Sequence, residues 1–214
     1  MNAMLSTTIP LPAILDQPAN TRSGRRRCIE NYELSEFGVA RFNNLLLRLG
    51  RRHLLDRDQL ATAARELCAC NTAGVAPASI HQRMQRIETA ARMVDDRRWD
   101  AANDAFDAAL VVVDYSRGGD ELIPNWVPTV GRLDDAIVVD AAWPRLGAEI
   151  DSYLDYCRLR ALEAGLRGCG ETEFEFNRAD WRRACEDEAA LIAHQRRVRE
   201  RSYLQQSVPR FAIH

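Results

Sequence analysis

The side chains best suited to chemistry crowd into one stretch. Asp120, Glu121, Asp134 and Asp135 bring carboxylates to either end of a segment broken by Pro124 and Pro128. Carboxylate oxygens are hard ligands, so Glu121, Asp134 and Asp135, joined by Asp120, are candidates to hold a divalent cation. A close carboxylate pair is also the minimum for general acid–base catalysis. The leading reading is simpler: Asp134 and Asp135 fall in the first turn of a helix, where a negative charge offsets the positive helix end by about 0.3–1 kcal/mol each. Beyond a divalent cation the sequence offers no cofactor site. It has no nucleophile–base pair and no glycine-rich phosphate loop. The spacing Cys68-Ala69-Cys70 is one residue too tight for zinc, and His53, His81, His194 and His214 are scattered. No catalytic residue is therefore assigned.

These groups must be positioned by helices. Ser35 can cap a helix whose Phe42, Leu45, Leu46 and Leu49 share a face. Asp56 with Gln59 makes a capping box before Leu60, Ala63, Ala64 and Leu67. A third stripe is Ile80, Met84, Ile87, Ala91 and Val94, and a fourth is Trp99, Ala102, Phe106, Ala109, Leu110 and Val113. After the Pro/Gly-rich break, a helix from about Leu133 is expected to stop near Pro144, with another over 149–164. Glu171 to Phe176 alternates charge and aromatic but is too isolated to pair as a strand. Asn177 with Asp180 caps a long charged helix reaching about Gln205. The fold expected is all-α, a bundle of six or seven helices with a helix–loop–helix corner and no strands. Three regions follow: a flexible N-terminal arm (1–31), a helical domain (32–168), and a connector with the charged C-terminal helix (169–214).

Composition narrows the class. Hydrophobic residues make up 46% and charged residues 28% of 214, as in a soluble globular chain, while 7% aromatics leaves the core to Ala, Leu, Val and Ile. No apolar run approaches the roughly 18 residues needed to cross a bilayer. The start of the chain lacks a basic segment followed by an apolar one, and Pro10 and Pro12 interrupt it, so a secretory leader is not expected. Six cysteines then read as reduced, mostly buried thiols of a cytoplasmic protein. All 29 basic residues are arginine, which codon usage explains first and selection against modifiable amines second.

With a net charge of −2 there is no global field for nucleic acid. Arg22, Arg25, Arg26 and Arg27 in the arm offer a phosphate or peripheral membrane-surface contact. Arg196, Arg197, Arg199 and Arg201 are balanced by Glu186, Asp187, Glu188 and Glu200 along the last helix. Binding to nucleic acid is expected to be weak and nonspecific, with no specific site.

One motif is more specific than the rest. Residues 121–135 read Glu-Leu-Ile-Pro-Asn-Trp-Val-Pro-Thr-Val-Gly-Arg-Leu-Asp-Asp. This resembles the signature of the YkvA-like family, a bacterial domain of unknown function, whose pattern runs Ser-Pro-Ile-Asp-Leu-Ile-Pro-Asp-aromatic-Ile-Pro-Val-x-Gly-x-x-Asp-Asp. The Leu-Ile-Pro step, aromatic, second proline, glycine and paired aspartates match in register, over about a fifth of the chain. Gly118-Gly119 replaces the family's Ser-Pro, Glu121 its first Asp and Asn125 its second. Many relatives are thought membrane-associated through apolar helices absent here, and the family has no established catalytic residues to carry over.

Physically, the motif is a corner in which Leu122, Ile123, Trp126 and Val127 plug between helices or present a docking surface to a protein partner, and Gly131 permits an unusual backbone conformation. Whether Trp126 is core or docking tip is open at this level. The leading functional expectation is an interaction or regulatory module. Behind it stand a divalent-cation-dependent hydrolase at the acidic corner and, from the acid-poor arm and the lysine-free chain, an exported effector.

Overall fold

The computed structural model describes residues 8–18, 26–70, 76–119, 121–171 and 173–203. Among them are six helices: α1 (Glu36–Arg48), α2 (Arg57–Ala69), α3 (Ala78–Asp95), α4 (Asn103–Arg117), α5 (Leu133–Arg167) and α6 (Arg178–Tyr203). The all-α expectation holds, with one exception to the absence of strands. Strands β1 (Cys28–Ile29) and β2 (Tyr32–Glu33) pair antiparallel, Ile29 opposite Tyr32. No helix is long and apolar enough to cross a membrane among the described residues.

Local signals set the helix ends as expected. The Ser35 hydroxyl accepts from the Gly38 amide at 2.9 Å, and Asp56 and Gln59 bond each other's backbone at 2.8 and 3.0 Å. Gly50, at φ +95°, closes α1 in a Schellman turn. Its N–H donates to the Leu47 carbonyl and that of Arg51 to Leu46, at 3.0 and 2.9 Å.

The chain divides into two compact units, residues 1–97 with 101–153, and residues 98–100 with 154–214. In the first, α3 packs on α4, and α2 packs on β1 and on a short 3-10 turn, Ala13–Asp16. Its core gathers Leu34, Phe42, Leu46, Leu60, Ile80 and Val112 around the buried first half of α5. The third and fourth stripes keep Ile80, Ile87, Ala109 and Val113 buried, but Met84, Ala91 and Val94 are only half-buried. Arg83, Ala90 and Met93 share the inner face of α3 instead.

The structure differs from the sequence reading in three places. Residues 8–18, assigned to a flexible arm, are packed: Leu15 is buried, and Gln59 donates to the carbonyls of Ile14 and Gln17. The helix after the corner does not stop at Pro144. Proline costs about 3 kcal/mol there, and burial of Ala142, Leu146, Ile150 and Tyr153 along one unbroken helix outweighs it. The boundary between the compact units lies at Tyr153–Leu154, inside α5, where the sequence reading set its own after residue 168.

The second unit is built on aromatics. Trp99, assigned to the fourth stripe, lies before α4 and packs on Tyr156 and Trp181, at centroid distances of 5.0 and 5.2 Å. Phe176 stacks on Tyr156 and accepts its hydroxyl proton through the backbone carbonyl at 2.8 Å. From the charge–aromatic alternation, Phe176 therefore enters the core, with Phe174 half-buried and stacked on it. Asn177 and Asp180 cap α6 as expected, Asn177 Oδ1 accepting from Ala179 N at 2.8 Å and Asp180 Oδ2 from Asn177 N at 3.1 Å. The six cysteines are free thiols, Cys28 and Cys70 exposed and the others half-buried, so none is a core residue.

Candidate functional site

The corner between α4 and α5 is held by one carboxylate oxygen. Asp134, in the first turn of α5, turns Oδ2 inward, where it accepts from the Tyr115 hydroxyl at 2.8 Å and from the backbone N–H groups of Leu122 and Ile123 at 2.9 and 3.0 Å. The Ile123 amide, which would otherwise be buried without a partner, is thereby satisfied, and the Leu122 amide is shared with the Tyr115 hydroxyl oxygen at 3.1 Å. Burial pushes the Asp134 carboxyl up to about 7, and burial next to that carboxylate pushes the Tyr115 hydroxyl up as well. Asp135 accepts from Arg132 Nη1 at 3.1 Å, and its carboxyl is raised, again chiefly by burial. Oδ1 of both aspartates is buried without a hydrogen-bond partner among the described residues.

Among the described residues, Glu121, Asp134 and Asp135 turn to different partners. Glu121 turns onto Asn125, bonding its backbone and side-chain amides, while Asp134 and Asp135 point to the separate partners just given. Among the described residues no three His, Cys, Asp or Glu side chains come together to hold a metal ion. Asp120, like Arg22 and Arg25, lies outside the described residues.

The proposed docking set divides. Leu122, Ile123 and Val127 are buried and belong to the core. Trp126 is 69% exposed, its ring edge-on to Tyr32 at 6.1 Å. Two backbone features hold it out. Thr129 adopts φ +64°, with Val130 N donating to Pro128 O at 2.6 Å, a tight turn that a β-branched residue rarely accepts. Gly131 is not at positive φ, contrary to expectation. It is required because a Cβ there would lie 2.8–2.9 Å from the carbonyl oxygens of Pro124, Asn125 and Val127.

Backbone atoms cannot yield as side chains do, so Gly131→Ala is expected to cost at least about 1–3 kcal/mol. Gly165→Ala, where the added methyl meets open space within α5, is expected to stabilise by about 0.5–1 kcal/mol. Urea midpoints of the two variants check this contrast.

Beside the corner a groove of about 340 Å³ runs along α1. Phe42, Leu45, Tyr115 and Leu122 line it, with Arg41 and Arg48 among its polar lining residues. The sequence reading missed this groove, because Phe42 and Leu45 serve the core stripe at the same time.

A second cavity, of about 360 Å³, also escaped it. There Arg83, 2% exposed, clasps both oxygens of Asp140 at 2.8 and 2.7 Å and donates to the carbonyls of Ile9 and Ser79 at 2.8 Å. Arg86 lies over the Trp143 ring at 3.9 Å. Arg83 thus pins residues 8–18 to α3 and α5. No sequence signal links residues 57 positions apart.

Comparison with family models, curated proteins and solved structures returned no match.

Proposed function

We propose that the chain is a helical interaction module of YkvA-like type, acting in the cytoplasm, whose corner docks a protein segment bearing acidic and apolar side chains. One observation carries this reading: the loop buries Leu122, Ile123, Val127 and Val130 yet leaves Trp126 in solvent. Trp is among the residues enriched at binding hot spots. The adjoining groove, apolar with Arg41 and Arg48 beside it, suits a segment with carboxylates flanking apolar side chains. At the positions that carry the YkvA-like resemblance, each residue has a structural part. The glycine fits where no Cβ can, the first aspartate of the pair anchors the loop, and the Leu-Ile step fills the core. Six free thiols agree with a reducing compartment.

Specific nucleic-acid recognition is not part of this reading. Arg26 is engaged with Thr62 at 2.9 Å, and the arginines of α6 share their helix with acids. A gel shift at physiological salt is expected to be negative.

Affinity capture from the native cells, with the wild-type chain and with Trp126→Ala and Arg41→Glu, tests the proposal. The expected result is a partner weakened at least about tenfold by each substitution, with stability changed by less than about 0.5 kcal/mol for Trp126→Ala. Equal recovery by all three chains would overturn it, as would a melting temperature that falls in step with binding.

A further inference from the structure

The second unit carries a surface that the corner does not explain. Trp181 anchors the start of α6, its indole N–H donating to Asp155 at 2.9 Å, and Cys185 follows on the same carboxylate at 3.7 Å. From Glu186 to Arg201 every side chain is exposed. A helical stretch without packing is marginal in water, because most helix stability in proteins comes from burying one face. This stretch has a face to bury. Leu191 and Ile192 are 55% and 58% exposed.

The charges on either side of Leu191 and Ile192 indicate what would cover them. Glu186, Asp187 and Glu188 precede the apolar pair, and Arg196, Arg197 and Arg199 follow it, Arg196 also reaching Glu200 at 3.0 Å. The acidic and basic runs are too far apart along the helix to pair with each other at i, i+4. A second α6 laid antiparallel brings each run opposite its complement, and a two-fold axis near Ile192 sets the apolar pairs against each other. A parallel partner would oppose like charges. The same patch on both copies then satisfies itself, as an isologous interface requires.

We propose that α6 pairs antiparallel with α6 of a second copy of this chain, centred near Ile192, and so makes the protein a homodimer. The inference does not rest on the Trp126 corner, and Trp126→Ala leaves it unchanged. Sedimentation velocity of the full chain from about 1 to about 100 µM tests it, the dissociation constant expected being in the micromolar range. Leu191→Asp with Ile192→Asp leaves a monomer whose melting transition is otherwise intact. Asp187→Arg with Glu188→Arg weakens pairing at least tenfold, as does Arg196→Glu with Arg199→Glu, and the chain carrying all four changes regains it. The inference fails if the wild-type chain stays monomeric at the highest concentration or if the Leu191/Ile192 variant still dimerises. It fails equally if the fourfold charge reversal does not restore pairing.

Discussion

Asp140→Ala is expected to destabilise the first unit by about 3–5 kcal/mol, because it strips a buried guanidinium of its counter-ion. Arg83 is 2% exposed on the side chain and spends Nε and Nη2 on the two oxygens of Asp140. The neighbouring Arg86, 3.9 Å from the same carboxylate, turns from a third member of the cluster into a source of repulsion once the acid is gone. The carbonyls of Ile9 and Ser79 remain as acceptors but supply no full negative charge. Replacing both partners, Arg83→Met with Asp140→Leu, is expected to cost less than Asp140→Ala alone, since it buries no unpaired ion. Chemical denaturation of the two single variants and the double variant measures the coupling. A double variant as unstable as the sum of the singles contradicts this account. Residues 8–18 report the same event locally: proteolysis near Ile9 should accelerate in Asp140→Ala before the rest of the unit is cut.

At the corner, Asp134→Ala removes the acceptor of three donors, two of them buried backbone amides. Leu122 N–H keeps the Tyr115 hydroxyl oxygen as a second acceptor at 3.1 Å, so two donors are left unsatisfied; at about 1–3 kcal/mol each, the expected loss is about 2–6 kcal/mol. Asp134→Asn keeps an oxygen at the same place and is expected to cost less than about 1.5 kcal/mol at pH 8. The pH dependence separates a charge effect from an acceptor effect. The Asp134 carboxyl sits at about 7 in the folded chain because of burial, against about 3.9 when exposed in the unfolded chain. Between these values the folded state holds a proton that the unfolded state has released. Stability from this group is full below pH 4 and is lost as pH rises through 7. Asp135, raised in the same sense by burial, adds to the trend. Asp134→Asn should flatten the slope between pH 4 and 7, which urea titrations at a series of pH values would measure. A slope unchanged by the substitution would remove Asp134 as its source.

Local features of the fold were legible in the sequence because they depend on residues a turn apart. The caps at Ser35, Asp56 and Asn177 and the stripes of α1 and α2 formed where the spacing placed them. The corner was legible as a corner, but not its inside and outside. Leu122, Ile123 and Val127 go inward and Trp126 outward because Asp134 fixes the loop, and no spacing rule encodes that choice. Gly131 was picked out for the wrong reason, since carbonyl crowding depends on how the loop folds back on itself. Pro144 shows a local rule outweighed, as the burial that keeps α5 continuous comes from elements far along the chain. The Arg83–Asp140 clasp and the Trp99–Tyr156–Trp181 cluster join side chains separated by dozens of residues, and only the folded chain brings them together.

The measurement that bears most directly on the proposed role is photo-crosslinking from the tip of the corner. With a benzophenone amino acid in place of Trp126, irradiation in the native cells is expected to yield one discrete adduct with another protein. The adduct should disappear when Asp134→Ala releases the loop from its anchor and persist in Asp134→Asn. The same probe at the exposed Arg132, on the other side of Gly131, should yield less of it or none. No adduct from position 126, or an adduct equally strong with the anchor removed, would contradict the view that this corner is built to hold Trp126 out for a partner.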